Sequence, residues 1–152
     1  MPKKTKTSNK LHAKKITIDN ILFDSKLEGD YYCWLKEMKA ENIIKDFELK
    51  PTYILVEGFT KNGIKHLPVT YTPDFRIINH DGSSYLVDTK GKRTDVFNIK
   101  YKLFCKRYNE ELKLIAWNPY TQSWDTIQNI RKMKLKKKRE AQKRKAEKTA
   151  KK

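Results

Sequence analysis

The stretch YTPDFRIINHDGSSYLVDTKG, residues 71–91, sets Asp74, Asp88 and Lys90 near the ends of what reads as one β-hairpin. Strands are usually poor in Asp and Lys, so three such residues there ask for a reason. Side chains alternate along a strand, so Asp88 and Lys90 share a face. Whether Asp74 joins them depends on the loop. A two-residue Asp81-Gly82 turn would pair Arg76 with Val87 and send Asp74 to the opposite face. A loop of three or five residues pairs Asp74 with Asp88, Phe75 with Val87 and Ile77 with Tyr85. That register collects Phe75, Ile77, Tyr85 and Val87 on one face. It leaves Asp74, Arg76, Ile78, Leu86, Asp88 and Lys90 on the other. A slip of one residue scrambles both faces, so the hydrophobic pattern selects the odd loop. Gly82 supplies the left-handed position that a three-residue loop needs.

Two carboxylates that close repel, and one takes up a proton unless a cation intervenes. Hard oxygen ligands suit Mg²⁺, which binds through one or two carboxylates plus waters and substrate phosphate. Mn²⁺ is the second candidate. Lys90, beside them, could hold a water or a phosphate oxygen. The set is the apparatus of metal-assisted phosphodiester hydrolysis. The plainer reading is a solvated strand end, with Pro73-Asp74 opening a turn.

The elements around the hairpin must position these groups. KITIDNILFDS alternates Ile16, Ile18, Ile21 and Phe23 about Asp19-Asn20, a small hairpin. In DSKLEGDYYCWLKEMKAEN, the residues Leu27, Tyr31, Trp34, Leu35 and Met38 make one helical face. Ser25 is its N-cap, and Glu28 stands at capping-box spacing. Gly29 weakens the first turn. DFELKPTYILVEGF reads as one extended strand with Pro51 at an edge or bulge. TKNGIK is a turn, and HLPVTYTPDFRII leads into the first hairpin strand. TDVFNIKYKLFCKRYNEE is a second helix, capped by Thr94. It carries two stripes, Val96, Ile99, Leu103 and Phe97, Tyr101, Phe104, Tyr108, so it is expected to bury a broad side. LKLIAW is a short strand of the kind found inside a mixed sheet, and NPYTQSW is a turn. The expected fold is α/β (α+β): a mixed central sheet flanked by helices.

The 152 residues suffice for one domain with a core. The formal charge of +17 is concentrated at the ends. Residues 1–15 carry six Lys and no acid, and residues 128–152 carry thirteen Lys and Arg against two Glu. Residues 16–127 hold sixteen basic and sixteen acidic residues. The organisation is therefore a basic arm at 1–15, a neutral domain at 16–127 and a Lys/Arg-rich helical or disordered arm at 128–152. Such arms release condensed counterions when they meet polyanions, which makes nucleic acid the expected partner. Lys92, Arg93, Arg131 and Lys132 are candidate phosphate contacts. No apolar run approaches membrane-spanning length and no apolar leader is present, so a cytoplasmic location is expected. Cys33 and Cys105 read as reduced core thiols. His12, His66 and His80 stand beside no nucleophile, and no Gly-rich phosphate loop occurs.

Read as Pro73-Asp74 … Asp88-Thr89-Lys90, the residues resemble the PD-(D/E)xK nuclease superfamily. With ILFDSKLEGDYY, ELKPTYIL, YTPDF, LVDTKG and TDVFNIKYKLF, the chain looks most like phage-encoded endonucleases of that superfamily related to Holliday-junction resolvases. It is also similar to the endonuclease subunits of some cut-and-paste transposons. The resemblance spans roughly residues 16–117. It implies a restriction-endonuclease-like domain and a Mg²⁺-dependent DNA endonuclease acting on branched DNA, with a homodimer for paired cuts. It implies Asp74, Asp88 and the carbonyl of Thr89 as metal ligands, Lys90 on the attacking water, and Glu28 completing the site. It places Thr94 and Lys100 near the scissile backbone. Glu28 could instead only close the capping box, and Arg76 could touch phosphate or form a cross-strand ion pair. The rival readings are a non-catalytic nucleic-acid-binding protein and a transposon-type nicking subunit.

Overall fold

A computed structural model describes residues 14–89 and 93–150. Lys90, Gly91, Lys92 and most of the N-terminal arm lie outside them. The centre is a five-stranded mixed sheet. In chain order, β1 is Ile16–Ile18, β2 Ile21–Phe23, α1 Lys26–Ala40, β3 Asp46–Leu49, β4 Tyr53–Val56, β5 Phe59–Lys61 and β6 Ile64–His66. There follow β7 Val69–Tyr71, β8 Phe75–Ile78, β9 Ser84–Thr89, α2 Asp95–Arg107, β10 Leu112–Asn118, β11 Ser123–Thr126 and α3 Ile127–Ala150. The central sheet has the order β11-β10-β9-β8-β3. β9 and β10 are parallel and joined through α2, while the other neighbours are antiparallel.

The hairpin adopts the odd register. Phe75 pairs with Val87, Arg76 with Leu86, Ile77 with Tyr85 and Ile78 with Ser84. Five residues, Asn79 to Ser83, connect the strands. Asn79 N–H donates to Ser83 O at 2.9 Å, and Gly82 takes φ +85°. Asp81 fixes the bend by accepting from Ser83 N–H at 2.9 Å.

Both sheet faces are covered. α1 and the β1–β2 hairpin cover one, burying Phe23, Tyr31, Leu35, Phe75, Ile77 and Val87 in a single cluster. α2 and the β4–β7 pair cover the other, with Leu86, Leu114, Phe97, Phe104, Tyr53 and Tyr71. Each fully buried side chain of this size contributes about 1.5–3 kcal/mol. The alternation along β9 therefore sends Val87 to one core and Leu86 and Asp88 to the other.

Several expectations are corrected. The strand read through Asp46–Val56 is two strands in different sheets, because Lys50 turns left-handed (φ +47°) just before Pro51. Pro51 has no N–H to give to a strand ladder, so the strand cannot run on through it. The turn read over 118–124 ends inside a strand, β11, which pairs Trp124 with Trp117. Val96 and Ile99 are exposed, so α2 buries only its Phe97–Phe104 stripe. Cys33 and Cys105 are free thiols but exposed, not core residues. Gly29 serves packing: a Cβ there would lie 2.8 Å from Ile16 Cγ2, so it lets the β1–β2 hairpin close onto α1. Among the described residues, no helix is long and apolar enough to cross a membrane.

Candidate functional site

Extending the β8–β9 register by one residue sets Asp74 opposite Asp88, at the end of β9. Asp74 is held across the strand pair. Its Oδ2 accepts from Thr89 N–H at 2.7 Å and from Thr89 Oγ1 at 2.8 Å. Asp88 is 1 % exposed and accepts a hydrogen bond from Tyr71 Oη. The Tyr71 hydroxyl is pushed strongly upward by burial first, then by the charge of Asp88 and its hydrogen bond, and also by the charge of Asp74. Tyr71 therefore stays a donor and senses both carboxylates.

Glu28 comes from the first turn of α1. Ser25 Oγ accepts from Glu28 N–H at 3.1 Å, which caps the helix. The return half of the capping box is not made: Glu28 Oε2 accepts from Asp24 N–H at 3.1 Å instead. Glu28 is only 3 % exposed, and its Oε1 faces the Lys50 ammonium at 3.3 Å. Burial raises its pKa above the ordinary glutamate value, and the charge of Asp74 adds to that, while Lys50 opposes it. Glu28 and Asp74 are thus close enough to feel each other.

Lys50 was not foreseen. Its Nζ lies 3.3 Å from Glu28 Oε1 and donates to Asp24 Oδ2 at 3.0 Å, and its own N–H donates to Asp74 O at 2.9 Å. One residue thereby ties the α1 carboxylate to the start of β8. In a chain with 35 Lys and Arg, nothing distinguishes this lysine in the sequence. Tyr71 was also missed as a site residue. Its signal was present: a tyrosine at a core-facing strand position needs a partner for its hydroxyl.

The remaining candidates divide. Lys90 and Lys92 lie outside the described residues. Thr94 Oγ1 accepts from Phe97 N–H at 3.2 Å and so is the N-cap of α2. Arg93 lies over the rings of Phe97 and Tyr101, 5.6 and 5.4 Å from their centroids. Lys100 is half-buried on α2. Arg131 and Lys132 are exposed on α3, away from any core. Arg76 forms ion pairs with Glu48 at 2.9 Å and Glu110 at 3.5 Å and donates to Tyr53 Oη. Those partners make it a cross-strand tie.

The donor set was tested against a hard divalent cation. Three carboxylates offer only oxygen, two of the three are buried, and the charge of the buried Glu28 Oε1 is met by the Lys50 ammonium at 3.3 Å. This chemistry fits Mg²⁺ or Mn²⁺. Among the described residues, no three His, Cys, Asp or Glu are drawn into a ready cage. The carboxylates are turned to separate donors: Asp74 to Thr89, Asp88 to Tyr71 and Glu28 to the Asp24 amide. Thr89 meets Asp74 through its amide and hydroxyl.

Fold and site together define an α+β domain with an acidic corner where α1, the start of β8 and the end of β9 converge. The chain belongs to the family described as "Protein of unknown function (DUF1064)", whose model matches residues 8–123. That span takes in the carboxylate corner and stops before α3. No curated protein and no solved structure matches the chain.

Proposed function

We propose that this protein is a Mg²⁺-dependent DNA endonuclease of the PD-(D/E)xK type, cutting branched DNA in the cytoplasm of a phage-infected cell. The observation that carries this reading is the hairpin register, which sets Asp74 opposite the buried Asp88 at the end of β9. A pure phosphate binder would avoid placing two carboxylates against its ligand. A bound Mg²⁺ would polarise the scissile phosphate and activate water.

The chain's own residues then have definite tasks. Asp74, Asp88 and Glu28 would hold the cation. Thr89 keeps Asp74 in place, and Tyr71 keeps Asp88 in place. Such outer partners fix ligand orientation. Lys50 compensates the charge of Glu28. Lys90, following Thr89, is assigned to the attacking water. Lys100 and the exposed cations of α3 are assigned to the DNA backbone, where lysine contacts carry no base information.

The test uses supercoiled plasmid and a four-way junction with wild type, Asp88→Asn and Lys90→Ala, in Mg²⁺ and in EDTA. Wild type should cut in Mg²⁺ alone, and both variants should lose cutting. No Mg²⁺-dependent cleavage by wild type would sink the enzyme reading. A second reading, a non-catalytic DNA-binding protein, draws on α3, a basic helix with no buried residue. It predicts binding without cleavage.

A further inference from the structure

β5 and β6 form a hairpin nested inside the β4–β7 pair. All six of their residues are exposed. The hairpin owes its shape to its turn and its base. Asn62 (φ +52°) and Gly63 (φ +74°) form the two-residue turn whose twist matches the strands. At the base, a Cβ on Gly58 would lie 3.1 Å from His66 O and 3.2 Å from Pro68 Cδ, so glycine lets the two chains pass closely without a shift of either.

Opposite residues of an antiparallel pair share a face. Phe59, Lys61, Ile64 and His66 therefore line one face, and Thr60 and Lys65 the other. Phe59 is half exposed and stacks on His66 with centroids 4.6 Å apart and planes 20° apart. No Asp or Glu occurs between Gly58 and Pro73. Such a surface repels a second copy of itself and attracts a polyanion. Its position ties it to the acidic corner, because β6 leads through Leu67-Pro68 into β7, whose Tyr71 donates to Asp88. Six residues lie between Ile64 and Tyr71, so the two are at most about 25 Å apart along the chain.

We infer that the 59–66 hairpin is a DNA-contacting arm selective for branched DNA. Lys61 and Lys65 meet phosphates of the duplex that flanks the cut. The Phe59–His66 ring pair stacks on bases exposed where strands part, as aromatic side chains do on unpaired bases. This rests on the endonuclease reading and names the substrate feature that the site would be held against.

The experiment measures affinity in EDTA against salt concentration, for a four-way junction and for a linear duplex of one arm's sequence. The proteins are wild type, Lys61→Ala/Lys65→Ala, Phe59→Ala and Phe59→Leu, each checked for an unchanged melting temperature. The double lysine variant should lower the log–log salt slope by about 2 on both DNAs. Both Phe59 variants should weaken junction binding roughly tenfold while shifting duplex binding by less than about twofold. Phe59→Leu keeps apolar bulk without a ring, so it guards against a folding defect in Phe59→Ala. Wild-type slopes and affinities in all variants would overturn the arm, as would hairpin variants that only turn a dimer into a monomer. If wild type binds the junction but cuts nothing in Mg²⁺, the arm stands and the activity falls. If wild type cuts and the variants bind as it does, the reverse holds.

Discussion

Tyr71 and Glu28 show how the acidic corner is tuned one side chain at a time. The Tyr71 hydroxyl donates to Asp88 inside a core, so its loss leaves the ring's packing in place and removes one orienting bond. Tyr71→Phe should lower Mn²⁺ affinity by about 10–100-fold, the usual cost of deleting an outer partner of a ligand. Titration followed by Mn²⁺ electron paramagnetic resonance checks this without recourse to activity. Glu28 carries the opposite tension. Burial and Asp74 raise its pKa in the folded protein, so the folded state holds the proton more tightly than the unfolded chain does. Stability is then greatest below the ordinary glutamate value of about 4.3 and falls as pH rises through the elevated folded value. Glu28→Gln lacks this loss. In metal-free buffer it should melt above wild type at pH 7, and the gap should close as pH is lowered toward 4. A gap that widens toward low pH would show Lys50 to outweigh burial and Asp74. Asp74 and Asp88 were legible in the sequence by type and spacing, whereas Glu28 read there as a helix cap and entered the site only through the resemblance. Tyr71 left a signal in its core-facing strand position. Lys50 left none, because its role depends on a backbone turn that no local pattern encodes.

At the scale of elements, the hairpin register was legible because only one pairing separates Phe75, Ile77, Tyr85 and Val87 from the polar set. The helix starts were legible through Ser25 and Thr94, and both hydroxyls accept the expected amides. What escaped was set by sterics between elements. Lys50 breaks a continuous apolar pattern into β3 and β4, and Val96 and Ile99 face outward because α2 meets the sheet along one stripe only. Gly29 makes the same point quantitatively. An alanine there would gain up to about 1 kcal/mol of helix propensity. Its Cβ would meet Ile16 Cγ2 at 2.8 Å and Ile18 Cδ1 at 3.0 Å, and overpacking of this kind costs about 1–3 kcal/mol. Gly29→Ala should therefore destabilise by about 1 kcal/mol in urea titration with an unchanged slope. A stabilised variant would show that the β1–β2 hairpin yields freely.

For the whole molecule, α3 is the outlying part. It runs Ile127–Ala150 with no buried residue, and its N-terminal half touches the domain, through Ile127, through Met133 Sδ 3.3 Å from Asn118 Nδ2 and through Lys137 Nζ 4.4 Å from the Tyr120 ring centroid. Removing residues 138–152, beyond those contacts, should leave the melting temperature and Mn²⁺ affinity unchanged. It should weaken DNA binding and flatten its salt dependence, as read by fluorescence anisotropy; an unchanged slope would show that this part of α3 holds no phosphate. The helix is about 36 Å long, and it carries eleven Lys and Arg against two Glu. Cations three and four residues apart on one helix push against each other by a few tenths of a kcal/mol per pair. Dissolved ions therefore pull this segment in two directions. Raising salt screens the mutual repulsion and should favour the helix in the free protein, while on the proposed function it would weaken binding to DNA. The polymer that displaces those ions does both jobs at once, so α3 should be most ordered when it is bound, and circular dichroism should record a gain in helix on titrating DNA at low ionic strength.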